Sequence, residues 1–273
     1  MDRLSPLLDR FDLRANVYFQ GTLCGLHTVD ASDASSHLHL IEQGGGQLLV
    51  PGLDASPYAF DQATLVWLPH ARAHSLHMSD EPSNKALCAR VDFGLGNNPL
   101  LQAMPPVLVL PLAALPALKG ALDLLFTEAF APRCGGQAAI NRLCELLLIQ
   151  LLRYCIEHQL VPTSVIAGLS DPRLAKAITA MHDSPQTHWT LETLAQTAGM
   201  SRASFASHFK AAVGTTPGDY LTTWRMGLSR NLLRSGQSVA RTAHAVGYGS
   251  ASAFVNAFGA AHGTSPAVWM KAQ

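Results

Sequence analysis

Thr190-Leu191-Glu192-Thr193-Leu194-Ala195-Gln196-Thr197-Ala198-Gly199-Met200-Ser201-Arg202-Ala203-Ser204-Phe205 decides the fold of the last hundred residues, because the chain writes it twice. The echo is Ser238-Val239-Ala240-Arg241-Thr242-Ala243-His244-Ala245-Val246-Gly247-Tyr248-Gly249-Ser250-Ala251-Ser252-Ala253-Phe254. Each copy runs from a polar N-cap into a helix with Ala at its fifth or sixth position. Gly, an apolar residue and a Ser cap follow, and then a second helix carries a Phe pair, Phe205/Phe209 or Phe254/Phe258. The small Ala195 or Ala243 lets two helices approach, and Gly199 or Gly247 supplies a positive φ for the turn. Phe residues four apart anchor one face of the second helix and leave its other face free. Each unit is a helix-turn-helix. Each is trailed by the same Gly-x-x-Pro turn, Gly214-Thr215-Thr216-Pro217 and Gly263-Thr264-Ser265-Pro266.

The interval between the copies carries the functional implication. Gly218 to Leu233 reads as one helix of about 16 residues, ~24 Å long. With the radii of the flanking bundles, it can hold two second helices about 34 Å apart, one turn of B-form DNA. One chain then reaches two successive major grooves on one face of a duplex. A single helix-turn-helix pattern is a weak signal, whereas two in tandem are a strong one for a reader of double-stranded DNA.

Upstream, the pattern changes. Tyr18-Phe19, Leu23 to Val29, His37-Leu38-His39-Leu40-Ile41, Gln47 to Val50, Leu65 to Leu68 and Ala86 to Phe93 are short strand-like runs with Gly, Pro and Asp between them. That spacing predicts an antiparallel sandwich or barrel. Leu112 to Phe130 and Gln137 to Gln159 switch to helical spacing. The fold class is therefore α+β: an N-terminal β-barrel with following helices over 1–160, a linker over 161–170, and an all-α domain over 171–273. Asp171-Pro172 opens the last domain, an Asp cap followed by Pro at the first helical position.

Composition is consistent with this division. The 273 residues suit about two domains at ~150 residues each. With 48% hydrophobic and 14% charged residues, the chain is globular, not disordered. No apolar run reaches the ~18 residues of a membrane span, and Met1 to Arg14, with Asp2, Asp9 and Asp12, does not read as a signal peptide. A net charge of zero hides an asymmetry. Residues 1–169 hold ten Lys and Arg against fifteen Asp and Glu, a net of −5, while 170–273 hold nine against four, a net of +5. The basic half suits a polyanion. The five cysteines Cys24, Cys88, Cys134, Cys144 and Cys155 show no CxxC spacing. They point to a reducing cytoplasm and away from a disulfide framework or a structural zinc knuckle.

Residues 171–270 resemble the AraC/XylS family of bacterial transcription regulators. Met200-Ser201-Arg202, Gly247-Tyr248 and Gly263-Thr264-Ser265-Pro266 carry the resemblance, with Asp171-Pro172-Arg173 and His188-Trp189-Thr190 upstream. His37-Leu38-His39 and Trp67-Leu68-Pro69 resemble segments of a cupin sensor domain. The resemblance implies DNA binding by the tandem units, an effector sensed in the cupin, and dimerisation or linkage through the helices that follow it. It implies promoter DNA and RNA polymerase as partners, a homodimer, an activator or a repressor, and no membrane.

By resemblance, Ala203, Ala206 and Ser207 face base edges, and Arg202, Ser204 and Lys210 lie near phosphates. In the second unit Ala251, Ser252, Val255 and Asn256 face the groove, and Asn256 is the best base reader because its amide pairs bidentately with adenine. Thr242 stands where the family usually has a large aliphatic, and Gly259-Ala260-Ala261-His262 where Arg or Lys is common. The second unit should thus add less phosphate energy. Arg225 is by resemblance a structural arginine of the connecting helix.

His37 and His39, two apart on a strand, point the same way, and His74 follows Pro69 by five. Three imidazoles converging in a barrel would suit a divalent transition metal: zinc, iron, copper or nickel. The usual cupin carboxylate would fall near Gln43, and Glu42 sits on the opposite face; the alternative is a degenerate cupin whose histidines line a polar pocket. Cys24 and Cys88, on different strands, are candidates for a reversible disulfide, with a low thiolate pKa as the requirement. Cys144 and Cys155, eleven apart, share a helix face with Leu148 and Leu151 and read as packing residues.

The leading function is a cytoplasmic, non-enzymatic, sequence-specific DNA-binding transcription regulator whose cupin-like domain senses a small molecule, a metal or an oxidant. The alternatives are a dioxygenase-like cupin metalloenzyme with an accessory DNA-binding domain, and a purely structural helical module.

Overall fold

A computed structural model of the chain describes residues 13–30, 35–53, 57–81, 83–93, 104–131, 133–158 and 164–271, together with residues 4, 5, 8, 101 and 160. They divide into two compact units, one built from Leu13–Asp92 and Met104–Tyr154, the other holding Cys155–Gln273.

The first unit is the expected antiparallel β structure. Its strands are β1 Arg14–Thr22, β2 Gly25–Val29, β3 Ser36–Gln43, β4 Gly46–Leu49, β5 Tyr58–Phe60, β6 Thr64–Leu68, β7 His74–Met78, β8 Lys85–Asp92 and β9 Leu108–Pro111. They form a five-stranded sheet of order β1-β8-β3-β6-β9 and a four-stranded sheet of order β2-β7-β4-β5. Three strands, β5, β7 and β9, were not read from the sequence. β5 has three residues, too few to show a period. β9 lies in an apolar run after Pro105 and Pro106 and pairs with β6 through Trp67↔Leu108 and Val66↔Val109.

Central β3 pairs with β6 and β8, and its first six residues are all buried. Its alternation of His and Leu is therefore not an alternation of outside and inside. Ile41 joins Val66, Leu68, Leu76, Met78, Leu48 and Ala86 in one apolar cluster between the sheets. Register puts His37 and His39 on the face of Ile41, opposite Leu68 and Val66 of β6. Leu38 and Leu40 lie on the other face, beside Trp67 and Leu65, and are equally buried.

Helices α1 (Lys119–Ala129) and α2 (Gly136–Glu157) follow. Helix α2 covers the free edge of β1. Asn141 Oδ1 accepts from Val17 N at 3.0 Å, Glu145 Oε1 accepts from Ala15 N at 3.2 Å, and Gln137 Nε2 donates to Val17 O at 3.1 Å. The match is geometric for Asn141 and Glu145: four helical residues rise ~6 Å and two strand residues ~6.6 Å, so they meet the N–H groups of Val17 and Ala15, while Gln137 takes the carbonyl of Val17. An edge strand is thereby closed to foreign pairing. Cys144, Leu148, Leu151 and Cys155 are fully buried on another face of α2, as their spacing predicts.

The second unit is all helical, with α3 Val165–Ser170, α4 Pro172–Asp183, α5 Leu191–Thr197, α6 Arg202–Val213, α7 Pro217–Arg234, α8 Val239–Ala245, α9 Ala251–His262 and α10 Pro266–Lys271. Each of these helices begins at a Ser, Thr or Asp whose side chain accepts a backbone N–H of the first turn, from Ser164 and Asp171 to Ser250 and Ser265. Such caps contribute ~1 kcal/mol apiece and account for how sharply the sequence marks the helix starts.

The linker expected over 161–170 is corrected. Residues 161–163 lie outside the described residues, and Val165–Ser170 is helix α3, with Ile166 and Leu169 fully buried. Ser164 N donates to Ala212 O at 2.7 Å, and a Cβ at Gly168 would stand 2.7 Å from both Ile178 and Val213. The glycine that resembled a linker residue marks a close helix approach instead.

Candidate DNA-reading surface and sensor site

The two helix-turn-helix units share the backbone hydrogen bonds of their turns, the second with one residue more, Gly249, before its Ser cap. Met200 N donates to Ala195 O, and Tyr248 N to Ala243 O; Gly199 N donates to Gln196 O, and Gly247 N to His244 O. Gly199 and Gly247 have φ of +67° and +80°, and Gly214 and Gly263 close the second helices at +88° and +70°. Ser201 caps α6 through Ser204 N, and Ser250 caps α9 through Ala253 N. Phe205, Phe209, Phe254 and Phe258 are all fully buried.

With the Phe pairs turned inward, the opposite faces are open. Arg202, Ala203, Ser204, Ser207 and Lys210 are exposed on α6, with Ala206 half-buried. On α9, Ala251, Ser252 and Asn256 are exposed and Val255 is half-buried. Every residue assigned to DNA from the sequence thus lies on the accessible side of its helix. Arg202 and Lys210 put two fixed charges on α6, whereas α9 has no Lys, Arg, Asp or Glu. Helix α7 between the units has 18 residues, ~27 Å.

Two supports behind this surface differ in how far the sequence announces them. Arg225 donates from Nε to Pro185 O at 2.8 Å and from Nη2 to Thr187 O at 2.9 Å, and lies over the Tyr248 ring. It ties the second turn to the loop before α5, a structural role as the resemblance implies. A Cβ at Gly247 would meet Arg225, Gln186 and Pro185 within 2.9 Å, so that glycine serves packing as well as its positive φ. The contact of His208 Nε2 with Asp171 Oδ2 at 2.6 Å has no signal in the sequence, because 37 residues separate the pair. Burial raises the Asp171 carboxyl, but hydrogen bonds from His208, Leu174 N and Arg173 N outweigh it and hold the group below its usual range. One carboxylate thus caps α4 and braces the first recognition helix.

In the first unit, His37, His39 and His74 do come together. Their ring centroids lie 5.0 to 6.3 Å apart, and all three are buried. His74 Nδ1 lies 2.8 Å from Arg72 O, and a carbonyl only accepts, so Nδ1 carries the proton and Nε2 is left as an acceptor. His39 Nε2, 2.8 Å away, therefore donates to His74 Nε2. His39 Nδ1 is then a lone pair, buried and without a hydrogen-bond partner. Burial first, then His74 and His37, pushes the His39 pKa well below 6.5; burial also lowers His74, partly offset by Arg72 O. The pair is neutral. Tyr18, at the bulge between Val17 and Phe19, stands edge-on to His37 and under Arg90.

The zinc, iron, copper or nickel site expected from the sequence would draw on these side chains. Two nitrogens converge at hydrogen-bond distance, and among the described residues no group of three or more His, Cys, Asp or Glu is placed to hold a metal ion. Glu42 stands 3.9 Å from Lys85, and Gln43 is exposed. As arranged, His39 and His74 hold one proton between their Nε2 atoms.

The structure separates Cys24 and Cys88. Cys88 is buried opposite Phe19, and burial pushes its thiol up to about 12, against the opposing pull of a Tyr18 hydrogen bond. Cys24 is exposed beyond the end of β1, its Sγ donating to Glu81 O. Leu23, its neighbour, is four residues along from Phe19, ~13 Å, and a disulfide needs Cα atoms within ~7 Å. A direct disulfide is not available in this fold. Burial raises Cys144 and Cys155 to about 12 and about 11, as inert packing residues.

A cupin-like β unit followed in the chain by two linked helix-turn-helix motifs defines a class of two-part protein, a β-barrel domain joined to a DNA reader. Comparison with known proteins gives the same division. Residues 2–157 match the family model "Cupin", and residues 194–272 match "Helix-turn-helix domain". An HTH-type transcriptional regulator of Haemophilus influenzae is 31% identical over 99% of this chain and 98% of its own length. An AraC-like transcription regulator of Streptomyces antibioticus is 38% identical over 63% of this chain, a match spanning 58% of that protein's length. Among solved structures, the DNA-binding domain of AdpA in complex with a target DNA is 32% identical over 38% of this chain and 93% of that one, with a TM-score of 0.36. The chain belongs to the AraC-type family of DNA-binding transcription regulators, with a cupin domain as its first part.

Proposed function

We propose that this protein binds promoter DNA sequence-specifically, laying α6 and α9 into neighbouring major grooves, and that an effector read by its cupin-like unit changes that occupancy and the contact with RNA polymerase. The observation that carries this reading is the duplicated geometry: matching turn hydrogen bonds, buried Phe pairs, and free faces on α6 and α9 with one helix, α7, between the units. Phosphate binding is concentrated on α6 through Arg202 and Lys210, and base reading on α9 through Asn256. An effector acts only through unequal affinity for the bound and free forms. Footprinting on a promoter library tests the reading. Two protected segments one helical turn apart, with steep salt dependence, support it; no protection at any sequence overturns it.

An oxidant as effector would meet Cys24 before Cys88, because the Cys24 thiol is exposed whereas burial keeps Cys88 protonated. Thiol counting before and after mild oxidation, repeated on Cys24→Ser, tests that arm; an unchanged oxidant response in Cys24→Ser sinks it. The metalloenzyme alternative requires three converging donors and an open position, and the barrel brings two nitrogens together. Turnover assays with metal-supplemented full chain test it.

A further inference from the structure

Helix α6 is held to the core by Phe205 and Phe209, and a second attachment holds it from the side. Ser164 N donates to Ala212 O, and His208 Nε2 meets Asp171 Oδ2 at 2.6 Å. The segment from Ser164 to Asp171, which includes α3, is thus fastened to α6 at each of its ends. Asp171 is itself fixed, because its Oδ1 accepts from Arg173 N at 2.7 Å and from Leu174 N at 3.1 Å. Oδ2 is left for the imidazole.

The place of His208 on the helix makes this bond consequential. At 3.6 residues per turn, His208 stands ~100° from Phe209 on one side and ~100° from Ser207 on the other. The two phenylalanines define a single line of contact, about which a helix can rock. A bond ~100° away from that line removes the freedom. Side-chain ends lie ~5–6 Å from a helix axis, so a rotation of about 10° moves them by ~1 Å. An error of that size spoils a built site. Ala203 and Ser207 would move with any such rotation.

The bond also depends on charge. Asp171, held below its usual range, is a carboxylate at neutral pH. Histidine is the side chain that changes charge between pH 5 and 8, and donation to a carboxylate is stronger from an imidazolium than from a neutral ring. Of the elements packed against α6, α3 has no titratable side chain. Glu192 of α5 and Asp219 of α7 are exposed in the first turns of their helices, Asp219 bonded to Thr216. Tyr220 is buried against His182, and the α7 arginines are engaged at Pro185 and over Trp269. Arg173 of α4 approaches the other carboxylate oxygen, Oδ1, at 3.9 Å, and Arg202 and Lys210 of α6 itself are exposed.

We infer that His208 is a positioning residue for DNA reading: bonded to Asp171, it sets the rotation of α6 that presents Ala203 and Ser207 to base edges, and protonation of the imidazole tightens that hold. The inference rests on the reading of α6 as a recognition helix and adds a proton-responsive brace to it.

Three variants test it. His208→Gln keeps an N–H donor of similar reach that does not titrate, whereas His208→Ala has no donor. Asp171→Asn keeps Oδ1 as a helix cap but turns an N–H toward His208. Binding of the full chain to its best-protected duplex and to a random duplex is measured at pH 6 and pH 8. His208→Ala should lose ~3- to 10-fold in affinity for the best-protected duplex at pH 6, with the random duplex and the salt slope unchanged. His208→Gln should recover most of that loss. Between pH 8 and pH 6 the native chain should gain more affinity than His208→Gln, and Asp171→Asn less, because an imidazolium and an amide N–H repel. Native affinity in His208→Ala, no recovery in His208→Gln, or a loss shared by the random duplex with the salt slope flattened by about one, the mark of a phosphate contact, overturns the inference. Hydrogen exchange on the chain without DNA reads the brace by itself, independently of footprinting. The α6 amides should exchange faster in His208→Ala than in the native chain and His208→Gln; equal exchange in all three overturns the inference. Circular dichroism verifies that each variant is folded.

Discussion

At the scale of single residues, the most consequential groups are polar side chains held without water. His39 is neutral because it is buried beside two other imidazoles. Its folded pKa lies below the value near 6.5 that it takes unfolded, so the unfolded chain binds a proton at acid pH that the folded chain refuses. Stability is therefore full above about pH 6.5 and is lost as pH falls toward the folded pKa. His74, also lowered, adds in the same direction, as does His262 in the second unit. We expect thermal denaturation of the native chain to shift down between about pH 7 and pH 5, and His39→Phe to flatten that slope. A slope unchanged in His39→Phe would contradict the shared-proton arrangement. Thr242 offers a separate test. It is fully buried and its Oγ1 has no hydrogen-bond partner. Thr242→Val keeps the shape and removes the unsatisfied hydroxyl, and should stabilise the protein by about 1 kcal/mol. Denaturant unfolding measures it, and a destabilised variant would show that the hydroxyl has a partner after all.

Secondary-structure elements meet their neighbours through matched spacings. Gln137, Asn141 and Glu145 repeat every four residues on α2 and reach two alternate residues of β1. The periodicity of α2 is plain in the sequence; its docking on β1 is not, since 124 residues separate Val17 from Asn141. Asn141→Leu strips Val17 N of its acceptor and should cost ~1–3 kcal/mol. The variant should also aggregate more readily, because β1 would present a bare edge. Light scattering during thermal melts would register this, and an unaltered melt would dismiss the edge-cover role. The helix-turn-helix elements are the opposite case. Caps, glycine turn and Phe pair sit within a dozen residues of one another, so each unit is legible before any tertiary contact is known. Helix α3 is not legible in the sequence, because Gly168 reads as part of a linker and is in fact small to admit Ile178 and Val213.

At the level of the whole molecule, the division of charge matches the division of labour. The basic half carries the DNA-reading faces, and within it the charges favour the first unit. Arg202→Ala and Lys210→Ala should weaken binding to all sequences alike and flatten the salt dependence by about one unit each. Asn256→Ala should instead relax preference at one base pair, costing ~1–3 kcal/mol there. Competition footprinting separates the two patterns, and a sequence-selective loss in Lys210→Ala would refute the phosphate assignment.

The sequence by itself determined the tandem readers, the antiparallel β unit and the common side of His37 and His39. Each of these is written in spacings of two, three or four residues, where chain geometry alone sets which side chains share a face. Tertiary structure alone decided that His39 meets His74 nitrogen to nitrogen, that Cys24 and Cys88 stay apart, that α2 seals β1, and that His208 meets Asp171. Those outcomes depend on strand register and helix docking between residues tens of positions apart, which no local pattern encodes.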